Sequence, residues 1–131
     1  MAPIFLSLDE VLEIHEDQLA KYGGKPGILS LPLLESALAQ PQATFGRQFL
    51  LADLFEMAAA YLFHIVQNHP FQDGNKRVGA VAAIVFLRTN GENISLTNEE
   101  LEALVLETAN GKLKREKIAA RLRGLSGKSE G

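Results

Sequence analysis

The sequence contains no cysteine among its 131 residues and no long hydrophobic run. Without cysteine there is no disulfide framework, no thiolate zinc site and no thiol nucleophile, and a reducing cytoplasm is the simplest expected compartment. The first residues lack the basic stretch of a signal peptide, and no run approaches the roughly 20 apolar residues of a membrane span. These absences predict a soluble cytoplasmic protein without a membrane partner.

Basic charge is also scarce, since the formal net charge is -3 at pH 7. Binding to a nucleic-acid backbone requires a basic face, so this balance argues against direct nucleic-acid binding. Residues 1–68 contain eight acidic and three basic residues, whereas residues 112–128 contain seven basic residues and one acidic residue. The basic segment is either a solvated terminal helix or a contact surface for an acidic partner, and the sequence leaves both open.

The pattern of apolar and capping residues predicts an all-α fold in one domain over residues 1–125, followed by a disordered tail over 126–131. Ser7 and Glu10 form a capping-box pattern that starts the first helix, and the glycine-rich residues 22–27 end it. A second helix has Pro32 in its first turn and stops at Pro41. Residues 41–49 are either an ordinary exposed loop or a short hairpin or flap.

The second half of the chain predicts four further helices. Helix three, over about 50–67, has a wide apolar face. Helix four begins near Asn75 and is uncharged over residues 78–87, so we expect it to be the buried central helix. A second capping box at Thr97 opens helix five, and a last helix covers about 114–123.

Nine residues between helices three and four, His-Pro-Phe-Gln-Asp-Gly-Asn-Lys-Arg at 69–77, concentrate the chemistry of the chain. The amides of Gly74, Asn75 and Lys76 stand at a helix start, where they are expected to be unpaired and to bind an anion. Lys76 and Arg77 are cations in a first turn, where the helix dipole disfavours them unless an anion is present. The segment therefore predicts a phosphate site.

Three other residues of this segment complete the predicted site. Asp73 is a single carboxylate of the kind that holds Mg²⁺ when phosphate oxygens and water supply the other ligands. His69 can act as a general base toward an incoming hydroxyl. We expect the Phe71 ring to anchor the loop in the core, while Pro70 restrains the backbone before it.

These nine residues resemble the signature of the Fic/Doc family, in which His-x-Phe-x-acid-Gly/Ala-Asn-Gly/Lys-Arg joins two central helices. Every signature position matches, and the resemblance extends through residues 22–27, 34–38 and 86–91. The resemblance implies a single all-α helical bundle with its active-site loop between helices three and four.

Two positions resemble the Doc (death-on-curing) branch more than the AMP-transferring Fic enzymes. Those enzymes have glycine where this chain has Lys76, and a second arginine where it has Ala80. The resemblance implies a toxin of a toxin-antitoxin pair that phosphorylates a threonine of elongation factor Tu. A lysine would fill space that the inner part of a nucleotide needs, so ATP would enter reversed and present its terminal phosphoryl group.

Two alternatives remain open at this point. Pro70 and Gly74 match the Fic pattern, which keeps transfer of AMP to a protein hydroxyl as the second reading. A catalytically idle module that only co-represses with its antitoxin is the third. The resemblance also implies the cofactors ATP and Mg²⁺, and an antitoxin whose disordered C-terminal segment folds as a helix into a groove. Phe45, Arg47 and Phe49 belong either to a flap that docks the target or to an ordinary loop.

The roles implied for this chain follow the signature residue by residue. His69 removes the hydroxyl proton and Asp73 holds the metal ion. The amides of Gly74 and Asn75, with the Asn75 side chain, cradle the anion, and two cations neutralise the developing charge. The predicted catalytic residues are thus His69, Asp73, Asn75, Lys76 and Arg77, the predicted nucleotide contacts are Gly74, Asn75, Lys76 and Arg77, and the predicted metal ligand is Asp73.

Overall fold

In a computed structural model, the chain is described over residues 2–111 and 113–126, which fold into six α-helices and one small hairpin. The all-α prediction is confirmed. The helices are α1 (Leu8–Tyr22), α2 (Leu31–Ala39), α3 (Leu54–Asn68), α4 (Asn75–Thr89), α5 (Asn98–Ala109) and α6 (Arg115–Leu125); a 3-10 turn (Gln40–Gln42) leads into the antiparallel strands β1 (Thr44–Phe45) and β2 (Gln48–Phe49).

Helices α3 and α4 pack against each other at the centre of the protein. Helices α2 and α6 cover α3, while α1 and α5 cover α4. The prediction of a buried central helix is confirmed for most of α4, although Val81 and Val85 are half-buried. The loop that joins α3 to α4 therefore emerges directly from the core, which fixes the position of both of its ends.

Capping residues set most helix boundaries where the sequence predicts them. Both predicted capping boxes are present, at Ser7 and Thr97. Helix α3 begins four residues later than expected, because Asp53 is its N-cap and accepts a hydrogen bond from the Glu56 amide at 2.9 Å. The apolar residues before Asp53 belong to the loop after β2, and one of them, Leu51, is buried in the core without being helical.

Within the segment at 41–49, residues 44–49 form a short hairpin, which was one of the two predicted states of this segment. At the other end of the chain, Ser126 pairs with Ile94 and donates a hydrogen bond to the Glu92 carboxylate at 3.1 Å. The rest of the predicted tail, residues 127–131, lies outside the described residues. Within 2–111 and 113–126, every helix is too short or too polar to cross a bilayer.

The residues before α1 are tied to the end of α4 and to α3. The Asn90 side chain accepts a hydrogen bond from the Ile4 amide at 2.7 Å and donates one to the Ile4 carbonyl at 2.9 Å. The Tyr61 hydroxyl accepts a hydrogen bond from the Leu6 amide, and burial raises the pKa of Tyr61 to about 12. These bonds satisfy polar groups that the core would otherwise leave unpaired.

The two central helices approach each other closely at Gly79. A Cβ atom there would lie 3.1 Å from Leu62 Cδ1 and 3.2 Å from the Leu62 carbonyl oxygen, so Gly79→Ala should push α3 and α4 apart. We expect a loss of about 1–3 kcal/mol in the free energy of unfolding, measured by urea denaturation.

Gly124 provides the matched control, because it is also helical and a Cβ there would meet nothing within 4 Å. Gly124→Ala should stabilise the protein by up to about 1 kcal/mol through helix propensity alone. Equal responses of the two variants would contradict the assignment of Gly79 as a packing contact.

Candidate active site

A cavity of about 540 Å³ opens between the end of α1, the loop after α3, the first turn of α4 and one face of α5. The structure brings all the predicted site residues to this cavity. Those that line it are His69, Asp73, Gly74, Asn75, Lys76 and Arg77.

The loop between α3 and α4 is held by backbone bonds to residues 27–30. The Leu29 amide donates to the Pro70 carbonyl at 2.7 Å, and the Gln72 amide donates to the Gly27 carbonyl at 2.9 Å. Between these bonds Phe71 is fully buried, as predicted, and pairs across an antiparallel bridge with Ile28. The polar residues on either side of Phe71 are therefore carried on a fixed backbone.

The side chain of Asn75 closes this loop from inside. Its Oδ1 accepts a hydrogen bond from the Phe71 amide at 2.9 Å, and its Nδ2 donates to the Phe71 carbonyl at 2.9 Å and contacts His69 Nδ1 at 2.8 Å. The residue is only 5% exposed. The polar atoms of this side chain are thus turned inward and bind the loop, and its predicted role as an anion ligand stays a prediction.

The contact with Asn75 also fixes the proton on the His69 ring. The Phe71 amide can only donate, so the Asn75 atom facing it must be the oxygen, and the atom facing His69 is then the nitrogen. His69 Nδ1 must accept this bond, which places the proton of a neutral ring on Nε2. The residue itself ends α3 in the left-handed conformation, at φ +48°, and its side chain is exposed.

The Asp73 carboxylate lies against the turn after α1. Its Oδ2 accepts a hydrogen bond from the Lys25 amide at 3.2 Å, and its Oδ1 accepts one from the Gly74 amide at 3.0 Å. The Gly74 amide is thus paired, contrary to the expectation that it would be free. A Cβ on Gly24 would lie 3.0 Å from Asp73 Oδ2, so glycine at 24 leaves the space that the carboxylate occupies.

The donor set around Asp73 fits a magnesium ion that a nucleotide brings with it. Each carboxylate oxygen accepts one backbone amide hydrogen bond, and the side chain is exposed at the cavity. Among residues 2–111 and 113–126 there is no group of three or more acidic or histidine side chains that could form a complete metal cage. One carboxylate with phosphate oxygens and water is the usual arrangement for magnesium under these conditions.

The two predicted cations differ in their surroundings. Lys76 is exposed at the cavity, whereas the Arg77 guanidinium lies 3.9 Å from the centre of the Tyr22 ring and forms an ion pair with Glu102. Neither Tyr22, which lies in the predicted helix end, nor Glu102 was among the predicted site residues. No local pattern could have found Glu102, because it reaches the site from α5, 25 residues away along the chain.

Two surfaces outside the cavity concern the predictions about the flap and about the basic segment near the C-terminus. The hairpin at 44–49 does not line the cavity, and Phe45 at its tip is 79% exposed. In α6, Arg121 pairs with Glu107 at 3.0 Å and Arg123 pairs with Asp53 at 2.8 Å. These pairs give two of the basic residues a partner within the chain, while target docking by the hairpin stays a prediction.

Comparisons with known proteins identify the family of the chain. The family model described as Fic/DOC family matches residues 5–87. The chain is 33% identical over 125 residues to "Protein kinase doc" of Escherichia phage P1, covering 95% of this chain and 98% of the relative. It is also 35% identical over 107 residues to "Toxin Doc" of Mycolicibacterium smegmatis, covering 80% of this chain and 82% of that protein. The chain belongs to the Fic/Doc family.

Proposed function

We propose that this protein is a Doc-type toxin kinase, which transfers the terminal phosphoryl group of ATP to a threonine or serine hydroxyl of a translation factor. One observation carries the proposal: an exposed histidine, a carboxylate and two cations surround a single cavity at the start of a helix. This combination suits phosphoryl transfer, in which catalysis consists mainly of positioning and charge stabilisation.

Residues 76 and 80 favour phosphoryl transfer over AMP transfer. Lys76 lines the cavity where AMP-transferring members of the family have glycine, and its side chain takes space that an inward-pointing nucleotide would need. Ala80 is 1% exposed and supplies no cation where those members have a second arginine. One of the two Doc relatives is itself named a protein kinase.

The reaction exchanges one phosphorus–oxygen bond for another. The target hydroxyl oxygen forms a bond to the terminal phosphorus of ATP, and the bond from that phosphorus to the bridging oxygen breaks, so that ADP leaves. The hydroxyl proton passes to the imidazole of His69. Lys76 and Arg77 stabilise the negative charge that spreads over the transferred group.

His69 must change its hydrogen bonding before it can act as this base. In this structure the basic lone pair of the neutral ring, on Nδ1, accepts a hydrogen bond from Asn75 Nδ2 at 2.8 Å. The contact with Asn75 therefore opens before the proton moves. Asn75 serves as a positioning residue that aligns the ring and the loop rather than as a ligand for phosphate.

Asp73 is the residue that would hold Mg²⁺. The ion would supply charge neutralisation on the phosphates, and Asp73 would fix its place because the Lys25 and Gly74 amides orient the carboxylate. Phe71 and Asn75 keep the loop that carries Asp73 rigid.

The similarity to two Doc proteins supports a toxin and implies an antitoxin as its partner, with a disordered C-terminal segment that folds as a helix on binding. The family resemblance indicates elongation factor Tu as the target and arrest of translation as the outcome. The alternative hypothesis of a co-repressor without catalytic activity gives no role to the exposed His69 side chain or to the cations that line the cavity.

The first test incubates the protein with purified elongation factor Tu, Mg²⁺ and ATP and reads the target by intact mass spectrometry. A gain of about 80 Da, one phosphoryl group, is expected. A gain of about 329 Da would mean AMP transfer and would overturn the argument from Lys76. With no gain, the same assay on bacterial lysate would decide whether elongation factor Tu or the reaction itself was wrongly assigned.

His69→Ala should abolish this mass shift, because the imidazole of His69 is the proposed acceptor of the hydroxyl proton. His64→Ala is the matched control: His64 lies on the same helix, away from the cavity, and its Nε2 accepts from Arg115 at 3.1 Å. Activity that survived in His69→Ala would exclude His69 as the base, and toxicity that survived in cells would favour the co-repressor.

The Glu102 carboxylate forms an ion pair with the Arg77 guanidinium, which we expect to bind the phosphates of the nucleotide. Glu102 should therefore weaken nucleotide binding. Glu102→Gln should lower the Kd for a non-hydrolysable ATP analogue with Mg²⁺ by roughly two- to fivefold, as measured by calorimetry, since exposed ion pairs are weak. Glu107→Gln, which removes an ion pair between α5 and α6, should leave the Kd unchanged. Unchanged affinity in Glu102→Gln would show that Arg77 does not contact the phosphates.

The ring proton of His69 can be observed directly. In nucleotide-free protein, long-range ¹⁵N correlation spectra should show His69 Nε2 protonated and Nδ1 as the acceptor. Asn75→Ala should abolish this tautomer preference. Protonation at Nδ1 in the free protein would contradict the assigned contact with Asn75.

A further inference from the structure

One buried histidine on α1 takes no part in the mechanism above. His15 is 6% exposed and lies beneath the loop between α3 and α4. Its ring stacks on Phe71 with the ring centres 3.9 Å apart and the planes 13° from parallel. Its Nε2 lies 3.0 Å from the Asp73 carbonyl oxygen. Helix α1 thus reaches the active-site loop through one side chain that makes two independent contacts.

We propose that His15 is a positioning residue for phosphoryl transfer, which locks the peptide between Asp73 and Gly74 in one of its two available orientations. In the locked orientation the Asp73 carbonyl points toward α1, and the Gly74 amide is directed at the Asp73 carboxylate. His15 therefore acts through Asp73 and has no contact with the reacting atoms. The inference rests on the proposed function, since it assigns His15 a part in that reaction.

The chemistry of the contact fixes which atom donates. A carbonyl oxygen only accepts, so His15 Nε2 carries the hydrogen. The neutral ring with this tautomer and the imidazolium both donate from Nε2, so the bond survives protonation of His15. The lock is therefore present whatever the charge of the ring.

A lock is needed because glycine follows Asp73. Gly74 has φ +82° and ψ +9°, the values of the third residue of a type II turn. The type I turn differs mainly by a flip of the central peptide, and glycine adopts both conformations at little cost. The backbone alone therefore does not choose between them, whereas the bond from His15 is available in only one.

A flipped peptide would damage the site in two ways. The Gly74 amide would leave Asp73 Oδ1, so the carboxylate would lose one of the two amides that orient it. The Asp73 carbonyl oxygen would leave α1 and turn toward the side where the phosphates are expected, where its negative end repels an anion. Both changes reduce the precision with which the carboxylate is presented.

The test compares two variants of the full chain that separate the ring from its donor. His15→Phe keeps an aromatic ring on Phe71 but removes the donor, whereas His15→Gln places an amide donor at a similar reach. We expect kcat for phosphoryl transfer to fall by about 10²-fold in His15→Phe, with a smaller change in KM for ATP, because misplacement of a positioned group costs this much. His15→Gln should recover most of kcat.

Thr108→Val controls for the loss of a buried hydrogen bond within α5, since Thr108 Oγ1 donates to the Leu104 carbonyl at 2.8 Å. It should lower stability without lowering kcat. If His15→Phe retains the wild-type kcat, or if His15→Gln falls as far as His15→Phe, the proposal is wrong while the proposed function stands.

A second measurement tests the lock without any activity. Hydrogen exchange of the Gly74 amide, followed by NMR, should be slow in the wild type and in His15→Gln and faster in His15→Phe. Where neither variant folds, the wild type alone decides: His15 must show a protonated Nε2, and an unprotonated Nε2 overturns the proposal. If the wild type binds no ATP and modifies no target, the proposed function fails, and these spectra still judge the orientation of the peptide.

Discussion

The hydrogen bonds of the Asn75 side chain to both polar groups of the Phe71 backbone are the constraint on which the site depends. The loop between α3 and α4 has no regular structure, so its buried amides and carbonyls need partners from elsewhere. Asn75 supplies them from the first turn of the following helix. With the loop closed in this way, Phe71 enters the core, His69 leaves it, and Asp73 meets the turn after α1. One amide side chain thus determines where three chemically different groups lie.

The first turn of α4 serves both folding and chemistry. A helix start has free amides and a positive potential, which favours an anion, yet here it also carries Lys76 and Arg77. Part of this positive charge is compensated within the fold, because Glu102 forms an ion pair with Arg77 and the Tyr22 ring stacks on the Arg77 guanidinium. The fold therefore tolerates a cationic site in a chain of net negative charge, and the partners it uses are side chains that an incoming phosphate would have to replace.

Much of the fold and the site could be predicted from the sequence because the signals are local. The capping boxes at Ser7 and Thr97 start helices where they were expected, and the site residues meet because they are consecutive in the chain. Two features of the site were not indicated by the sequence. The Asn75 side chain turns inward to the Phe71 backbone, a contact that depends on the conformation of the loop and not on a periodic pattern, and Glu102 enters from another helix. The start of α3 was misplaced because a buried loop residue, Leu51, has the same apolar character as a helical one.

The backbone of His69 has a consequence for how this protein can lose activity. A non-glycine residue at φ +48° carries strain of about 1 kcal/mol, which glycine would not. The residue on which the proposed chemistry depends is therefore one whose replacement by glycine relaxes the chain. A change to glycine at this position comes with no penalty in backbone conformation, so an inert copy that arises in this way could persist as a folded protein. Selection for stability alone would favour the inert form over the active one.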